Sequence, residues 1–136
     1  MNQKQRARAA GVRAHLARMR SDPLRGRDNF GLQMALERSG LPIVEWYPEV
    51  TASDGRVHSI RTLVRLPGGE TALIDLAEPK PPGGGWDRVK KDRMARKRRD
   101  CAALNIPLLI LQRGAVMYLQ AQIEHWLIVA QMGDHT

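Results

Sequence analysis

Features that stabilise secreted, disulfide-bonded and membrane-spanning proteins are scarce in this sequence. Its 136 residues include one cysteine, Cys101, so the chain can form neither an internal disulfide nor a cysteine-based zinc site. The longest uncharged apolar run, residues 101–112, is too short to cross a bilayer and contains Asn105 and Pro107. The arginine-rich start has no apolar segment of the kind found in signal peptides. We therefore expect a cytoplasmic protein that does not enter a membrane.

Aromatic residues are also rare, at 4% of the chain, which disfavours single-strand recognition by base stacking. The glycine-rich segment 83–85 lacks the Gly-Lys-Ser/Thr sequence of a phosphate-binding loop, and no Gly-x-Ser-x-Gly sequence is present. The sequence thus excludes these familiar catalytic sites. Apolar residues nevertheless make up 43% of the chain, enough for one small domain with its own core.

Positive charge is the strongest compositional signal. The chain has 22 Lys and Arg against 14 Asp and Glu, a formal net charge of +8. Residues 1–27 contribute +7 and residues 86–104 contribute +5, whereas the remainder sums to −4. One such run is commonly a solvated helix face, but two in so small a chain indicate a polyanionic partner. Nucleic acid is the commonest such partner, and an acidic protein or an anionic membrane surface is the alternative.

Pro23 and Gly26 divide the chain into a basic N-terminal arm, residues 1–27, and an α/β domain, residues 28–136. Within the arm, residues 3–20 predict a helix with a thin apolar stripe. Because such a stripe buries little surface, we expect the arm to be frayed until it binds a phosphate backbone or a partner.

The hydrophobic pattern of the domain predicts the order αβββαβα. A three-stranded meander contains a two-residue turn at Asp54-Gly55. Strand 71–77 is apolar almost throughout and is expected inside the sheet, while strand 107–112 is expected to pair in parallel after a helical crossover. Alternation along the second strand places His58, Ile60, Thr62, Val64 and Leu66 on one face. The predicted elements are helix 28–40, strands 43–52, 56–66 and 71–77, helix 86–104, strand 107–112 and helix 116–133. Pro48 is expected to break strand 43–52 towards a sheet edge or a bulge.

This order, with IDLAEPK at residues 74–80 and KDRMARKRRDCAALNIPLLIL at residues 91–111, resembles the restriction-endonuclease-like, or PD-(D/E)XK, superfamily. The similarity is to its small bacterial, plasmid and phage members and covers about residues 28–130. The resemblance implies a restriction-endonuclease-like core. It also implies Mg²⁺-dependent phosphodiester cleavage in active members, where carboxylates hold the metal ion and a lysine offsets charge on the phosphate.

On this resemblance the third-strand acid corresponds to Asp75. Ala77 stands where the superfamily has a lysine or a second acid, Thr62 stands near the second-strand aspartate, and Asn29 stands near a first-helix glutamate. Because three of these four positions lack the superfamily's chemistry, the catalytic motif is degenerate. The resemblance therefore favours nucleic-acid binding ahead of cleavage.

A displaced catalytic site is open at the end of the third strand. Glu78-Pro79-Lys80 is a Glu-x-Lys sequence, so Asp75, Glu78 and Lys80 are the candidate catalytic residues, with Asp75 and Glu78 as Mg²⁺ ligands. Alternatively, Glu78 and Lys80 are loop residues, because Pro79 ends the strand. His58 is either a further ligand or base, or a packed polar residue.

We expect the arm and the basic helix to contact the phosphate backbone of DNA or RNA. The candidate nucleic-acid-binding residues are Arg6, Arg8, Arg13, Arg18, Arg20, Arg88, Lys90, Lys91, Arg93, Arg96, Lys97, Arg98 and Arg99. The alternative is a non-catalytic interaction module, an accessory subunit of a larger nucleic-acid-processing complex. The last helix has more apolar residues than one buried face requires, the additional ones being Met117, Tyr118, Leu127 and Ile128. This excess indicates either a homodimer or partner contact or a helix covered on two sides.

Overall fold

The computed structural model describes residues 2–133, and within them the chain forms four α-helices, one short 3-10 helix and six β-strands. These elements are α1 (Gln3–Ser21), the 3-10 helix (Pro23–Arg25), α2 (Arg27–Arg38), β1 (Ile43–Trp46), β2 (Glu49–Thr51), β3 (Val57–Ser59), β4 (Thr62–Arg65), β5 (Thr71–Leu76), α3 (Arg88–Ala103), β6 (Leu108–Leu111) and α4 (Val116–Gly133). The expected mixed α/β class is confirmed. Two parts of the predicted elements lie outside the described residues: Met1 of the arm and residues 134–136 of the domain.

The main sheet has the strand order β1-β4-β5-β6. β1 pairs with β4 and β4 pairs with β5 in antiparallel fashion, whereas β5 and β6 run parallel. Every residue of β5 after Thr71 is buried, which explains its nearly uninterrupted apolar sequence. The interior position of β5 and the parallel pairing of β6 through the crossover helix α3 confirm the predictions.

The interruption expected at Pro48 in the first long strand is present, and the second long predicted strand is also interrupted once. Tyr47-Pro48 separates β1 from β2, and Ile60-Arg61 separates β3 from β4. Tyr47 has a φ of 51° and its N–H donates to the carbonyl of Arg61 at 2.6 Å, so the hairpin bends and β2 and β3 form a separate two-stranded sheet. Because the alternation restarts after the bend, Ile60 packs on the α3 side and Val64 on the opposite side. The prediction that Ile60 and Val64 share a face is wrong for this reason.

The loop that joins β2 and β3 has three residues. The N–H of Ala52 donates to the carbonyl of Arg56 at 2.8 Å, which leaves residues 53–55 in the loop. Gly55 has a φ of 88°, the left-handed conformation that closes a three-residue hairpin loop after a type I turn. The predicted two-residue turn is therefore too short by one residue.

Apolar layers cover both faces of the main sheet. On one face α2 and α4 pack against the strands and bury Leu36, Ile74, Leu111 and Ile123. On the other face the buried Cys101 of α3 packs in a cluster with Leu73. Since side chains alternate along β5, Asp75 points to the same face as Leu73, towards α3.

α1 packs on the β2–β3 hairpin. Leu16 is 1% exposed and lies in a cluster with Tyr47 and Val57, and a capping box at Asn2 closes the first turn of the helix. The expectation that this segment is frayed is wrong, because its thin apolar stripe finds a partner surface on the hairpin.

One side of α4 is open. Met117 is 77% exposed, Tyr118 is 49% exposed and Ile128 is 56% exposed, whereas Leu127 packs partly against the core. The interpretation of a helix covered on two sides is wrong, because no part of residues 2–133 covers this side. Within the same residues, no helix combines the length and apolarity needed to cross a membrane.

Candidate nucleic-acid interface

A cleft of about 450 Å³ opens between α1, α3 and the bent hairpin. This volume falls within the roughly 300–1,000 Å³ typical of ligand sites. Among the described residues that line it are two carboxylates, Asp75 and Glu78, and six cations. The cations are Arg56, Arg61, Arg93, Arg96, Lys97 and Arg113. This excess of positive charge in a concave surface suits an anionic ligand.

Asp75 is the buried acid of the cleft. Lys97 Nζ donates to its Oδ2 at 3.0 Å, Arg61 Nε lies 3.7 Å from its Oδ1, and the N–H of Leu76 donates to the same Oδ1 at 2.9 Å. The side chains of Asp75, Lys97 and Arg61 are only 6%, 16% and 21% exposed. Lys97 lies one turn before the buried Cys101, so the packing of α3 holds it against the sheet. Two cations around one carboxylate leave this cluster with a net positive charge.

Asn29 on α2 is a second partner that holds the Arg61 guanidinium, in addition to Asp75. Arg61 Nη1 donates to Asn29 Oδ1 at 2.6 Å, and Asn29 Nδ2 donates to the hydroxyl of Tyr47 at 2.7 Å and to the carbonyl of Pro23 at 2.6 Å. Asn29 is 3% exposed, so this network is largely shielded from water. It connects α2, the bend of the hairpin and β5.

The structure brings two of the three predicted catalytic residues to the cleft. Glu78 lines it and pairs with Arg93 at 2.8 Å. Lys80 lies outside it, with its ammonium 4.2 Å from the centre of the Trp86 ring. The residues after β5 thus leave the sheet as a loop, and Asp75, Glu78 and Lys80 do not converge on one point.

The residues at Asp75 do not fit a magnesium ion. Within residues 2–133 no three His, Cys, Asp or Glu side chains lie close enough to share a metal ion. Mg²⁺ is bound through carboxylate oxygens and water, but here cations already engage both carboxylates of the cleft. A divalent ion would have to displace Lys97 and Arg61 from Asp75 and would be repelled by them. We therefore derive no cleavage step at this site.

The predicted nucleic-acid-binding residues fall into two groups. Those that line the cleft are Arg93, Arg96 and Lys97. Those elsewhere on α1 and α3 are Arg6, Arg8, Arg13, Arg18, Arg20, Arg88, Lys91, Arg98 and Arg99, which are exposed, and Lys90, which is half-buried. Arg13 pairs with Glu49 at 2.5 Å and Arg20 donates to the carbonyl of Tyr47 at 2.7 Å, so these two also hold α1 on the hairpin.

A second cleft, of about 610 Å³, adjoins the first beneath α1. His15, Met19, Tyr47 and Arg61 line both, so the two clefts are adjacent, and together they are called the groove. The charged residues that line only the second cleft are Arg18, Arg25, Arg27, Asp22 and Asp28. The groove is therefore most strongly cationic at its α3 end.

A partly buried polar pair ties β3 to α3, and its histidine, His58, lines the cleft. His58 Nε2 lies 2.6 Å from Asp100 Oδ2, which fits the interpretation of His58 as a packed polar residue. Burial by itself raises the pKa of Asp100, but hydrogen bonds and charges from His58 and Arg99 outweigh it and hold this pKa below its ordinary value. Burial raises the pKa of the neighbouring Cys101 thiol, and the Asp100 charge adds to that rise.

Sequence patterns missed three cations of the cleft: Arg56, Arg61 and Arg113. The hydroxyl of Thr62, which the resemblance assigns near the second-strand acid, donates to the carbonyl of Ile74 at 2.8 Å. Arg61, one residue earlier, is the side chain that reaches Asp75. The signal for this pair is Asp75 itself, because an aspartate in an apolar strand needs a cationic partner.

Comparisons of the chain with family models, curated proteins and solved structures gave no match. The chemistry of the groove therefore has to be inferred from its own side chains.

Proposed function

We propose that this protein binds nucleic acid and contacts the phosphate backbone of DNA or RNA along the groove between α1 and α3. The observation that carries the proposal is the cleft with six cations, in which both carboxylates are already paired with Lys or Arg. A polyanion can therefore enter this cleft without facing an unpaired acid. Arginine predominates among these cations, and its planar guanidinium matches the geometry of phosphate oxygens.

In this proposal the protein binds and does not cleave through Mg²⁺. Asp75 and Glu78 are engaged by cations, and Lys80 lies over Trp86 instead of in the cleft. We further propose a divergent member of the restriction-endonuclease-like superfamily. Support comes from the order of β1, β4, β5 and the parallel β6, with α3 as the crossover.

Fluorescence anisotropy of a labelled 20-base-pair DNA duplex, and of an RNA duplex of matching sequence, tests binding. If six to ten phosphates are contacted, affinity should fall by roughly 10³–10⁵ between 50 and 200 mM salt. Arg96→Gln, which removes an exposed cation of the cleft, should weaken binding severalfold and lower the salt slope by about one. Arg38→Gln at the end of α2 is the matched control and should bind like the wild type.

Two further measurements separate this proposal from its alternatives. Poly-glutamate and anionic vesicles at equal charge should displace the duplex poorly, and efficient displacement would favour an acidic protein or a membrane surface. Incubation of plasmid DNA with Mg²⁺ or Mn²⁺ should leave it intact. An affinity insensitive to salt, or equal losses in Arg96→Gln and Arg38→Gln, would refute backbone binding.

A protein partner on α4 is a second candidate function. Its support is the open apolar side of this helix, where Met117, Tyr118 and Ile128 are exposed. Sedimentation velocity of the wild type and of Ile128→Lys tests whether that partner is a second copy of the chain. A concentration-dependent dimer that Ile128→Lys abolishes would support this, and a monomer throughout would count against it.

A further inference from the structure

We infer that the cluster of Arg61, Asp75 and Lys97 binds one backbone phosphate without a divalent metal ion, and that Asp75 is a positioning residue in that site. The inference rests on the proposed nucleic-acid binding and gives this buried acid a role in it. It assigns Asp75 neither to catalysis nor to metal binding.

The two cations sit at opposite oxygens of one carboxylate. Lys97 Nζ contacts Oδ2 at 3.0 Å and Arg61 Nε lies 3.7 Å from Oδ1, so Asp75 holds the two cationic groups side by side. Both line the cleft. An ammonium group has three N–H donors and a guanidinium has five, so each keeps donors for a phosphate oxygen after it has contacted Asp75.

The position of Arg61 is fixed from more than one direction. Its Nη1 donates to Asn29, which is 3% exposed and is held in turn by Tyr47 and Pro23. An arginine that is held in place loses less side-chain freedom when it binds a ligand than one that moves in solvent. Asp75 provides the same restraint for Lys97.

Arg56, in the wall of the same cleft, has one nitrogen without a hydrogen-bond acceptor in the described part of the chain. Arg56 pairs with Asp54 at 3.5 Å, but its Nη1 is buried and has no hydrogen-bond acceptor among residues 2–133. A buried guanidinium nitrogen without an acceptor is unfavourable unless an anion or water meets it. Because this nitrogen has almost no exposed area, a ligand in the cleft would not contact it directly, and phosphate binding is assigned to Arg61 and Lys97.

The positioning role of Asp75 and its charge alone predict opposite effects of Asp75→Asn on phosphate affinity. If Asp75 only reduces the positive charge of the cleft, Asp75→Asn should raise phosphate affinity, because it removes a repulsive charge. If Asp75 positions Arg61 and Lys97, the same substitution frees two cations that repel each other, and affinity should fall.

The test is the affinity of Asp75→Asn for the 20-base-pair DNA duplex in EDTA, measured across a salt series. We expect a loss of about three- to tenfold and a salt slope smaller by about one, as for one lost phosphate contact. Glu70→Gln, which removes the same charge from an exposed turn, should not weaken binding. Unchanged or higher affinity in Asp75→Asn would overturn the inference, as would Mg²⁺-enhanced binding that Asp75→Asn abolishes.

Lys97 provides a second test that does not require Asp75→Asn to fold. Lys97→Met should weaken duplex binding, and Lys97→Arg, which can still pair with Asp75, should recover at least half of the lost affinity. Wild-type affinity in Lys97→Met would overturn the inference. If the wild type does not bind the duplex, the proposed function itself fails. If the wild type binds with the expected salt slope but Asp75→Asn is not weakened, only the inference fails.

Discussion

Lys97 and Asp75 are 22 positions apart in the sequence, yet Lys97 Nζ donates to Asp75 Oδ2 at 3.0 Å beneath the surface of the cleft. This contact joins the crossover helix to the strand inside the sheet. It therefore adds to the apolar packing that docks α3, and it holds a cation in place at the cleft.

Removal of Lys97 should destabilise the fold. Lys97→Met leaves the buried carboxylate of Asp75 with Arg61 as its remaining cationic partner. Because the carboxylate is not left unpaired, we expect a cost of about 1–3 kcal/mol, which is that of a lost buried hydrogen-bond partner, and not the roughly 3–5 kcal/mol of an unpaired buried charge. Urea unfolding at pH 7 measures this free energy. Lys91→Met on the exposed side of the same helix is the control and should change it by less than about 0.5 kcal/mol. Equal stability of the two variants would show that the pair contributes nothing to folding.

α1 should contribute to the stability of the whole domain. Leu16 is 1% exposed between α1 and the hairpin, so Leu16→Ala should lower the free energy of unfolding by about 2–4 kcal/mol. Leu24→Ala, at a position 41% exposed, should cost much less. The check is a comparison of urea midpoints. Similar midpoints for both variants would mean that α1 is not docked.

The pair of His58 and Asp100 should make stability depend on acid pH. Because the pKa of Asp100 is below its ordinary value of 3.8, the unfolded chain binds the proton more tightly. The stabilisation is complete above that value and is lost as the pH falls through the lower pKa of the folded state. Asp100→Asn should therefore have a lower free energy of unfolding than the wild type at pH 6, and this difference should be smaller at pH 2.5.

Urea unfolding of both proteins across this pH range measures that difference. Asp92→Asn, on the exposed side of α3, is the control. Its difference from the wild type in the free energy of unfolding should not shrink comparably towards acid pH, since the Asp92 side chain is 64% exposed. If the difference in the free energy of unfolding between the wild type and Asp100→Asn stays constant or increases towards pH 2.5, the expected role of the pair is contradicted.

The sequence indicates the order of elements well because long apolar runs carry strong signals. β5 and β6 are recognisable without any long-range information, since their sequences are apolar without alternation. β5 is buried on both faces, and β6 is buried over its second half. Pro48 signals an interruption of the first long strand, but the positive φ of Tyr47 has no signal in the sequence. A tyrosine rarely adopts a positive φ, and here the buried ring and the contact of its hydroxyl with Asn29 favour that conformation.

The interruption of the second long strand at Ile60-Arg61, which the alternation does not predict, explains why the site was only partly predictable. Basic residues on α3 are visible from composition, and Asp75 is visible as an acid in an apolar strand. The partner of Asp75 depends on where the second long strand breaks and on the pairing of Thr62 with Ile74. Thr62 and Arg61 are neighbours in the sequence, so their side chains point to opposite faces of the sheet. An error of one residue in the predicted register therefore exchanges one for the other beside Asp75.

Cys101 offers a direct probe of how firmly α3 is docked. Its thiol is fully buried and burial raises its pKa, so at pH 8 it should react with Ellman's reagent at least about 100-fold more slowly in the folded protein than in 6 M urea. The chain has one cysteine, so the signal reports this position alone, and Cys101→Ala supplies the background. Lys97→Met should speed labelling because it removes the contact of α3 with Asp75. Native-state labelling as fast as in urea would mean that α3 leaves the sheet freely, and the cleft would then not be a preformed site.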